Sequence, residues 1–217
     1  MLKSILELLF PPKCILCRRV LEKNETDLCC RCRTDSSDAP ASRTKLSFVE
    51  SWAAVWYYEG KVRSSILRFK FGGRQNYAPA YGRLLAMKLQ REYPEGFDLL
   101  TWVPTGKRRI RKRGYDQAKL LAEAVGSELE MMPVQLLKKI RDNPPQSGIR
   151  GDAKRRANVL GAYKETENIP FSGKRILLLD DVITTGATVS ECSRILLTAG
   201  AKEVHCGALA YARRSKR

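Results

Sequence analysis

Two adjacent carboxylates, Asp180 and Asp181, follow the apolar run Ile176-Leu177-Leu178-Leu179 and precede Val182-Ile183-Thr184-Thr185-Gly186-Ala187-Thr188. Four apolar residues without polar alternation describe a central parallel strand covered on both faces, so the carboxylates stand at its C-terminal end. Open α/β sheets bind ligands at that edge. The Thr and Gly residues then turn tightly into a helix that starts near Ala187, and converging amides and hydroxyls there suit a phosphate. The combined reading is a ribose 5-phosphate cradle. Asp180 and Asp181 accept hydrogen bonds from the vicinal ribose hydroxyls, each contributing about 1.5–3 kcal/mol. Thr184, Thr185, Gly186, Ala187 and Thr188 hold the monophosphate, and Gly186 lets the backbone approach it without a Cβ in the way. The plainer alternative is a strand-turn-helix crossover with Thr185 or Thr188 as a cap. That alternative leaves unexplained why carboxylates stand beside an anion site, an arrangement that calls for a ligand rich in hydroxyls.

A second loaded stretch is Pro104-Thr105-Gly106 followed by Lys107, Arg108, Arg109, Arg111, Lys112 and Arg113, so six of the seven residues from 107 to 113 are cationic. On a loop leaving a strand beside the Asp180 strand, this run could clamp a pyrophosphate, with the Thr105 and Gly106 N–H groups assisting. A solvated charge run is the alternative. The third group is Cys14-x-x-Cys17 and Cys29-x-x-Cys32, separated by eleven residues, the spacing of two zinc knuckles. Four thiolates suit tetrahedral Zn²⁺, and in so short and polar a segment the metal would supply the folding energy. Cys30 could replace Cys29 as the third ligand, and disulfides or a redox pair are the competing readings. Cys192 and Cys206 fall within apolar patterns and read as core.

The elements that must position these groups follow from the rest of the chain. Its 217 residues suffice for one α/β domain and a small appendage, and 43% apolar content supports a packed core. Forty Lys and Arg against 23 Asp and Glu leave +17, which points to a polyanionic partner, with nucleic acid leading and a surface that assists a pyrophosphate substrate as the alternative. No apolar run reaches the roughly 18–20 residues needed to span a bilayer. Met1 to Phe10 contains Lys3 and Glu7 and lacks a small-residue cleavage site, so it reads as a short amphipathic helix stopped by Pro11 and Pro12 rather than as a signal peptide. It packs on its own protein or touches a membrane surface peripherally. Seven cysteines without export signals imply a reducing, cytoplasmic setting.

Arg33 to Ser47 reads as a linker. Trp52 to Tyr58 is a strand, Val62 to Phe71 a helix, and Tyr77 to Tyr93 an amphipathic helix with Leu84, Leu85, Met87 and Leu89 on or near its buried side. Phe97 to Val103 is a buried strand, and Gly114-Tyr115-Asp116-Gln117 opens a helix to about Leu129. Lys138 to Tyr163, with Pro144-Pro145 and many cations, reads as a mobile basic flap or a connecting hairpin. Glu203 to Tyr211 is the last strand, with His205 in a packing position, and a basic tail follows. Tyr57, Tyr58, Trp102 and Tyr115 could stack bases or serve as core. The fold class is α/β, a doubly wound, mostly parallel sheet over 48–217, preceded by a zinc-ribbon-like head and linker over 1–47.

Ile176 to Thr188 resembles the phosphoribosyl pyrophosphate (PRPP) signature of the type I phosphoribosyltransferases, matching it at every position. The resemblance implies PRPP with Mg²⁺ as ligand, ribose hydroxyls on Asp180 and Asp181, and the 5-phosphate on Thr184 to Thr188. Arg113-Gly114-Tyr115-Asp116-Gln117-Ala118 resembles the Arg-Gly-aromatic-Asn-Gln-Ala motif of the ComF family, phosphoribosyltransferase-like proteins tied to competence and DNA uptake, with Asp116 in place of the usual Asn. This likeness takes in the cysteine head, Phe69-Lys70-Phe71-Gly72, the basic run, and Pro145-Gln146-Ser147 with Arg156 and Asn158. In related transferases a flexible loop closes over PRPP, which makes Gln146, Arg150, Arg155 and Arg156 flap candidates. The family implies natural transformation, single-stranded DNA, and a competence helicase or other uptake proteins as partners. An active phosphoribosyltransferase of nucleobase or nucleotide metabolism and a zinc-dependent scaffold are the alternatives. No catalytic base or acceptor pocket is readable.

Overall fold

The computed structural model describes residues 11–36, 38–39, 46–141 and 157–213. The opening amphipathic segment, most of the linker, the flap candidates Gln146, Arg150, Arg155 and Arg156, and the end of the basic tail lie outside the described residues. Four parallel strands form the main sheet: β1 (Ser51–Tyr57), β2 (Leu99–Trp102), β5 (Arg175–Ile183) and β6 (Glu203–Tyr211), in the order β1-β6-β5-β2. A separate antiparallel hairpin pairs β3 (Leu137–Lys139) with β4 (Tyr163–Glu165). Among the described residues the helices of six residues or more are α1 (Cys30–Asp35), α2 (Gly60–Phe71), α3 (Ala78–Glu92), α4 (Lys107–Arg113), α5 (Gln117–Leu129) and α6 (Ala187–Thr198).

Period-two alternation distributes β5 between two cores. Leu177 and Leu179 pack with Leu85 and Leu89 of α3 and Leu121 and Val125 of α5, whereas Ile176 and Leu178 pack with Cys192, Ile195 and Leu196 of α6. Both faces are therefore covered, and each fully buried Leu contributes about 1.5–3 kcal/mol. Cys192 and Cys206 lie in the second core, as their apolar context implies. His205 is buried on β6 with its Nδ1 2.8 Å from Ser51 Oγ, and its ring packs against Tyr93 and Phe97.

Several elements differ from the sequence expectation. Arg33 to Asp35 complete α1, and Asp38 forms a bridge to Trp56, so part of the supposed linker is ordered structure on the edge of β1. Met87 is 64% exposed, because helical rotation carries it away from Leu85 and Leu89. The head packs on the rest of the protein: Ile15, Leu16 and Leu28 join the core of α2 and α3. Ser65 Oγ donates to Ile15 O, Arg68 donates to Ile15 O at 3.1 Å and to Leu16 O at 2.6 Å, and Arg83 grips Asp27 with two bonds. Apolar burial thus shares with the cysteines the work of ordering this segment.

Candidate functional site

The strand bearing the aspartates runs farther than its apolar run suggests. Asp180, Val182 and Ile183 still pair with Ala208, Ala210 and Tyr211 of β6, so the carboxylates lie inside the ladder rather than beyond it. On the other side, pairing with β2 ends at Trp102–Leu179, where Val103 N–H donates a last bond to Leu179 O. β2 leaves the sheet at Pro104, and the two strands part beside Asp180 and Asp181. A crevice at this divergence is the ligand position of open α/β sheets.

Alternation sends the two carboxylates to opposite faces. Asp181 follows Leu177 and Leu179, and its side chain is buried between α2 and α5. Lys70 Nζ stands 2.7 Å from its Oδ1, and Gln117 Nε2 donates to its Oδ2 at 3.0 Å. Neither partner was singled out as a site residue from sequence, although both stand inside the motifs that resemble the ComF family. Gln117 also accepts from Arg113, whose guanidinium lies 4.7 Å from the centroid of the Phe71 ring. Burial pulls the Arg113 pKa down, against the attraction of Asp181.

Asp180 faces the other core. Its Oδ1 accepts the Asp181 N–H at 2.8 Å. Burial first, and then the neighbouring Asp181 charge, push the Asp180 carboxyl up to about 8, with Lys70 opposing. Lys70 and Lys139 act on it only against this rise, and a further cation brought by a ligand would favour its ionised form.

After Ile183 the chain turns through Thr184 and Thr185 to Gly186, which caps α6 at φ 78°. That left-handed conformation favours glycine. A Cβ at Gly186 would also come within 2.5 Å of the Leu46 side chain, which lies against this turn. Thr185 Oγ1 accepts the Ala187 N–H at 3.4 Å, and Ser190 N–H donates to Gly186 O at 2.8 Å as the helix starts. The first turn of α6 points its N–H groups and positive dipole end into the crevice beside the aspartates. The structure therefore brings Asp180, Asp181, Thr184, Thr185, Gly186, Ala187 and Thr188 together at one sheet edge.

The basic run is a helix rather than a loop, since α4 spans Lys107–Arg113 and ends at Gly114 with φ 85°. Thr105 does not offer its donors freely: its N–H bonds Asp116 Oδ2 at 3.0 Å and its hydroxyl bonds Asp116 Oδ1 at 2.9 Å. Asp116 caps α5 as well, accepting from Ala118 N–H and Lys119 N–H. A carboxylate satisfies all four donors, which gives the Asp at this position a structural use. Gly106 is the N-cap of α4 and is buried, whereas Lys107 and Arg108 are exposed and Arg109 is half-buried. Lys138 to Tyr163 carries the β3–β4 hairpin at its two ends, so the hairpin reading applies to the described part. Lys139 Nζ sits 5.0 Å from the Tyr163 ring centroid, and both residues interact electrostatically with Asp180. Trp102 and Tyr115 are core residues, and Tyr115 donates its hydroxyl to Phe69 O. Tyr57 carries Arg213 over its ring at 3.5 Å.

In the head, the Sγ atoms of Cys14, Cys17, Cys29 and Cys32 all lie within 4.8 Å of one another, with Cys17 and Cys29 at 3.6 Å. Tetrahedral zinc with bonds of about 2.3 Å requires ligand separations of about 3.8 Å, so the cluster fits such an ion. Burial opposes ionisation of Cys29, but bonds from the Cys32 N–H and the neighbouring thiols bring it down to about 7. Cys30 points away, 3.9 Å from Arg19, which resolves the third position in favour of Cys29. No helix among the described residues is long and apolar enough to cross a membrane.

Comparison with known proteins matches residues 110–217 to the phosphoribosyl transferase domain. The chain is 28% identical to Competence protein ComFC of Bacillus subtilis (strain 168), over 86% of this chain and 78% of that protein. It is 29% identical to the DNA utilization protein YhgH of Escherichia coli O157:H7, over 88% and 86%. Competence protein F of Haemophilus influenzae is 27% identical, over 92% and 97%.

Proposed function

This chain is a homologue of the ComF-type competence and DNA-utilization proteins and carries a phosphoribosyl transferase domain, and we propose that it binds PRPP with Mg²⁺ and single-stranded DNA in the cytoplasmic handling of incoming DNA. One observation carries the PRPP reading: an acidic pair inside the central parallel strand is followed at once by a Gly186-capped helix N-terminus. In this reading the α6 amides with Thr184, Thr185 and Thr188 hold the 5-phosphate, and the aspartates orient the ribose through its hydroxyls. Lys70 and Gln117 hold the Asp181 carboxylate in place. The Mg²⁺ that accompanies PRPP supplies charge neutralisation of the pyrophosphate oxygens. Lys107, Arg108 and Arg109, with the Gly106 turn, face that leaving group and stabilise its charge, and Thr105 braces the turn through Asp116. Within Lys138 to Tyr163, Gln146, Arg150, Arg155 and Arg156 are the flap residues of this reading.

The division we assign is a zinc-carrying head and linker over 1–47 and a phosphoribosyltransferase-like domain over 48–217, with structural zinc on Cys14, Cys17, Cys29 and Cys32. The excess of +17 charges supports the DNA reading, as do the names of the relatives. A competence helicase or another uptake protein is the proposed partner.

Titration calorimetry with PRPP and Mg²⁺ tests the cradle. Binding is expected in the wild type and lost in Asp180→Ala; the absence of binding in the wild type would refute it. Anisotropy with a single-stranded oligonucleotide is expected to show affinity that falls with salt, with a log-log slope of about −0.7 per neutralised phosphate.

A further inference from the structure

Phe71 is 69% exposed at the end of α2, whereas Val62, Ile66 and Phe69 earlier in that helix are buried. Its neighbour Lys70 holds Asp181 at 2.7 Å, and the guanidinium on its ring belongs to Arg113, which bonds Gln117, the other partner of Asp181. An isolated apolar residue at the surface needs no explanation. This one is different, because both of its polar neighbours converge on the same buried carboxylate. Phe48, the other exposed phenylalanine, sits in the turn before β1 and has no cation over its ring among the described contacts.

We infer that Phe71, backed by Arg113, is a stacking platform for a nucleobase. The inference rests on the reading of the Asp180–Thr188 crevice as a ribose site. The hydroxyls that the aspartates would hold are on C2′ and C3′ of a ribosyl group, so whatever is attached at C1′ emerges two bonds from the nearer of the held carbons. A planar heterocycle leaving that point meets the exposed ring beside Lys70. Every base has a π face, so stacking on such a ring is tolerant of sequence, and a cation close by favours a partner that carries phosphate. The base can come from a free nucleotide or from a single strand of nucleic acid. The stacking is the same for both, whereas a DNA strand lacks the free vicinal hydroxyls and reaches the ring without the ribose contacts.

The experiment uses 2-aminopurine, whose fluorescence is quenched on stacking, in two forms: the free ribonucleoside 5′-monophosphate, which carries both hydroxyls, and one residue within an oligothymidylate. The full-length protein is expected to quench at least one of them. Quenching of the nucleotide alone identifies a small-molecule source, quenching of the oligonucleotide alone identifies a single strand, and either result supports the platform. Phe71→Ala is expected to abolish the quenching and weaken binding of that probe by roughly 5- to 100-fold. Phe71→Tyr is expected to restore both, which separates loss of stacking from loss of fold. Full quenching and affinity in Phe71→Ala would overturn the inference, as would wild-type protein that quenches neither probe. Wild-type calorimetry with PRPP, run in parallel, reports separately on the crevice: failure there with Phe71-dependent quenching intact removes the ribose reading and leaves a base contact.

Discussion

Replacing Asp180 with Asn probes the part of the site under the greatest electrostatic tension. Burial and the Asp181 charge raise the Asp180 carboxyl from its ordinary 3.8 to about 8. A raised folded-state pKa means that the native state keeps a proton the unfolded chain releases. The stabilising contribution is therefore complete below about pH 4 and is lost as pH rises through about 8. Between pH 6 and pH 8.5 the wild type loses about 2–3 kcal/mol through this group, at about 1.4 kcal/mol for each tenfold change in proton activity. Asn keeps the carbonyl oxygen that accepts the Asp181 N–H and has nothing to ionise. Urea unfolding of both proteins at the two pH values reports the effect of Asp180 and the groups it interacts with, because titrating groups that do not interact with it cancel in the double difference. Asp180→Asn is expected to gain about 2–3 kcal/mol over the wild type on going from pH 6 to pH 8.5. Parallel pH dependences, within about 0.5 kcal/mol, would refute the assigned environment. PRPP with Mg²⁺ should tighten over the same interval in the wild type, since bringing in a cation selects the ionised carboxylate.

Lys70→Met leaves the Asp181 carboxylate buried with Gln117 but without its cation, and an unfolding experiment should show a loss of about 3–5 kcal/mol together with weakened PRPP binding. Gly186→Ala places a Cβ at φ 78° against Leu46, so its thermal midpoint should fall by an amount equivalent to about 1–3 kcal/mol, and PRPP affinity should fall with it. Metal analysis of purified protein should give one zinc per chain, retained in Cys30→Ser and lost in Cys17→Ser. Equal loss in both would refute the ligand set. Arg68→Ala removes two donors to the Cys14-Ile15-Leu16-Cys17 knuckle from the helix that carries Lys70, and is expected to cost about 2–4 kcal/mol in urea unfolding.

Much of the site was legible because its chemistry is contiguous. Asp180 to Thr188 is one strand end, one turn and one helix start, so local backbone rules place the acids beside the amides without any knowledge of the remaining chain. The same holds for β6, read as Glu203 to Tyr211 and found there, and for the cysteine pairs, whose spacing is a property of two knuckles. Composition likewise settles the excess of basic charge.

Other features depended on partners far away in sequence. Asp181 is paired by residues 111 and 64 positions distant, and no periodicity encodes the meeting of Lys70 and Gln117 on one carboxylate. The basic run became a helix because Gly106 and Gly114 bracket it and Asp116 secures the turn before it, an arrangement that its charge pattern concealed. Trp102 and Tyr115 look the same as Phe71 in a string of aromatics. Packing buried the first two and left the third beside the crevice. Sequence by itself determined which groups stand next to each other along the chain, because backbone geometry acts over a few residues. Only the tertiary structure decided which carboxylate is neutralised, which donors are already used and which ring faces solvent, because those outcomes are set by contacts between segments that folding brings together.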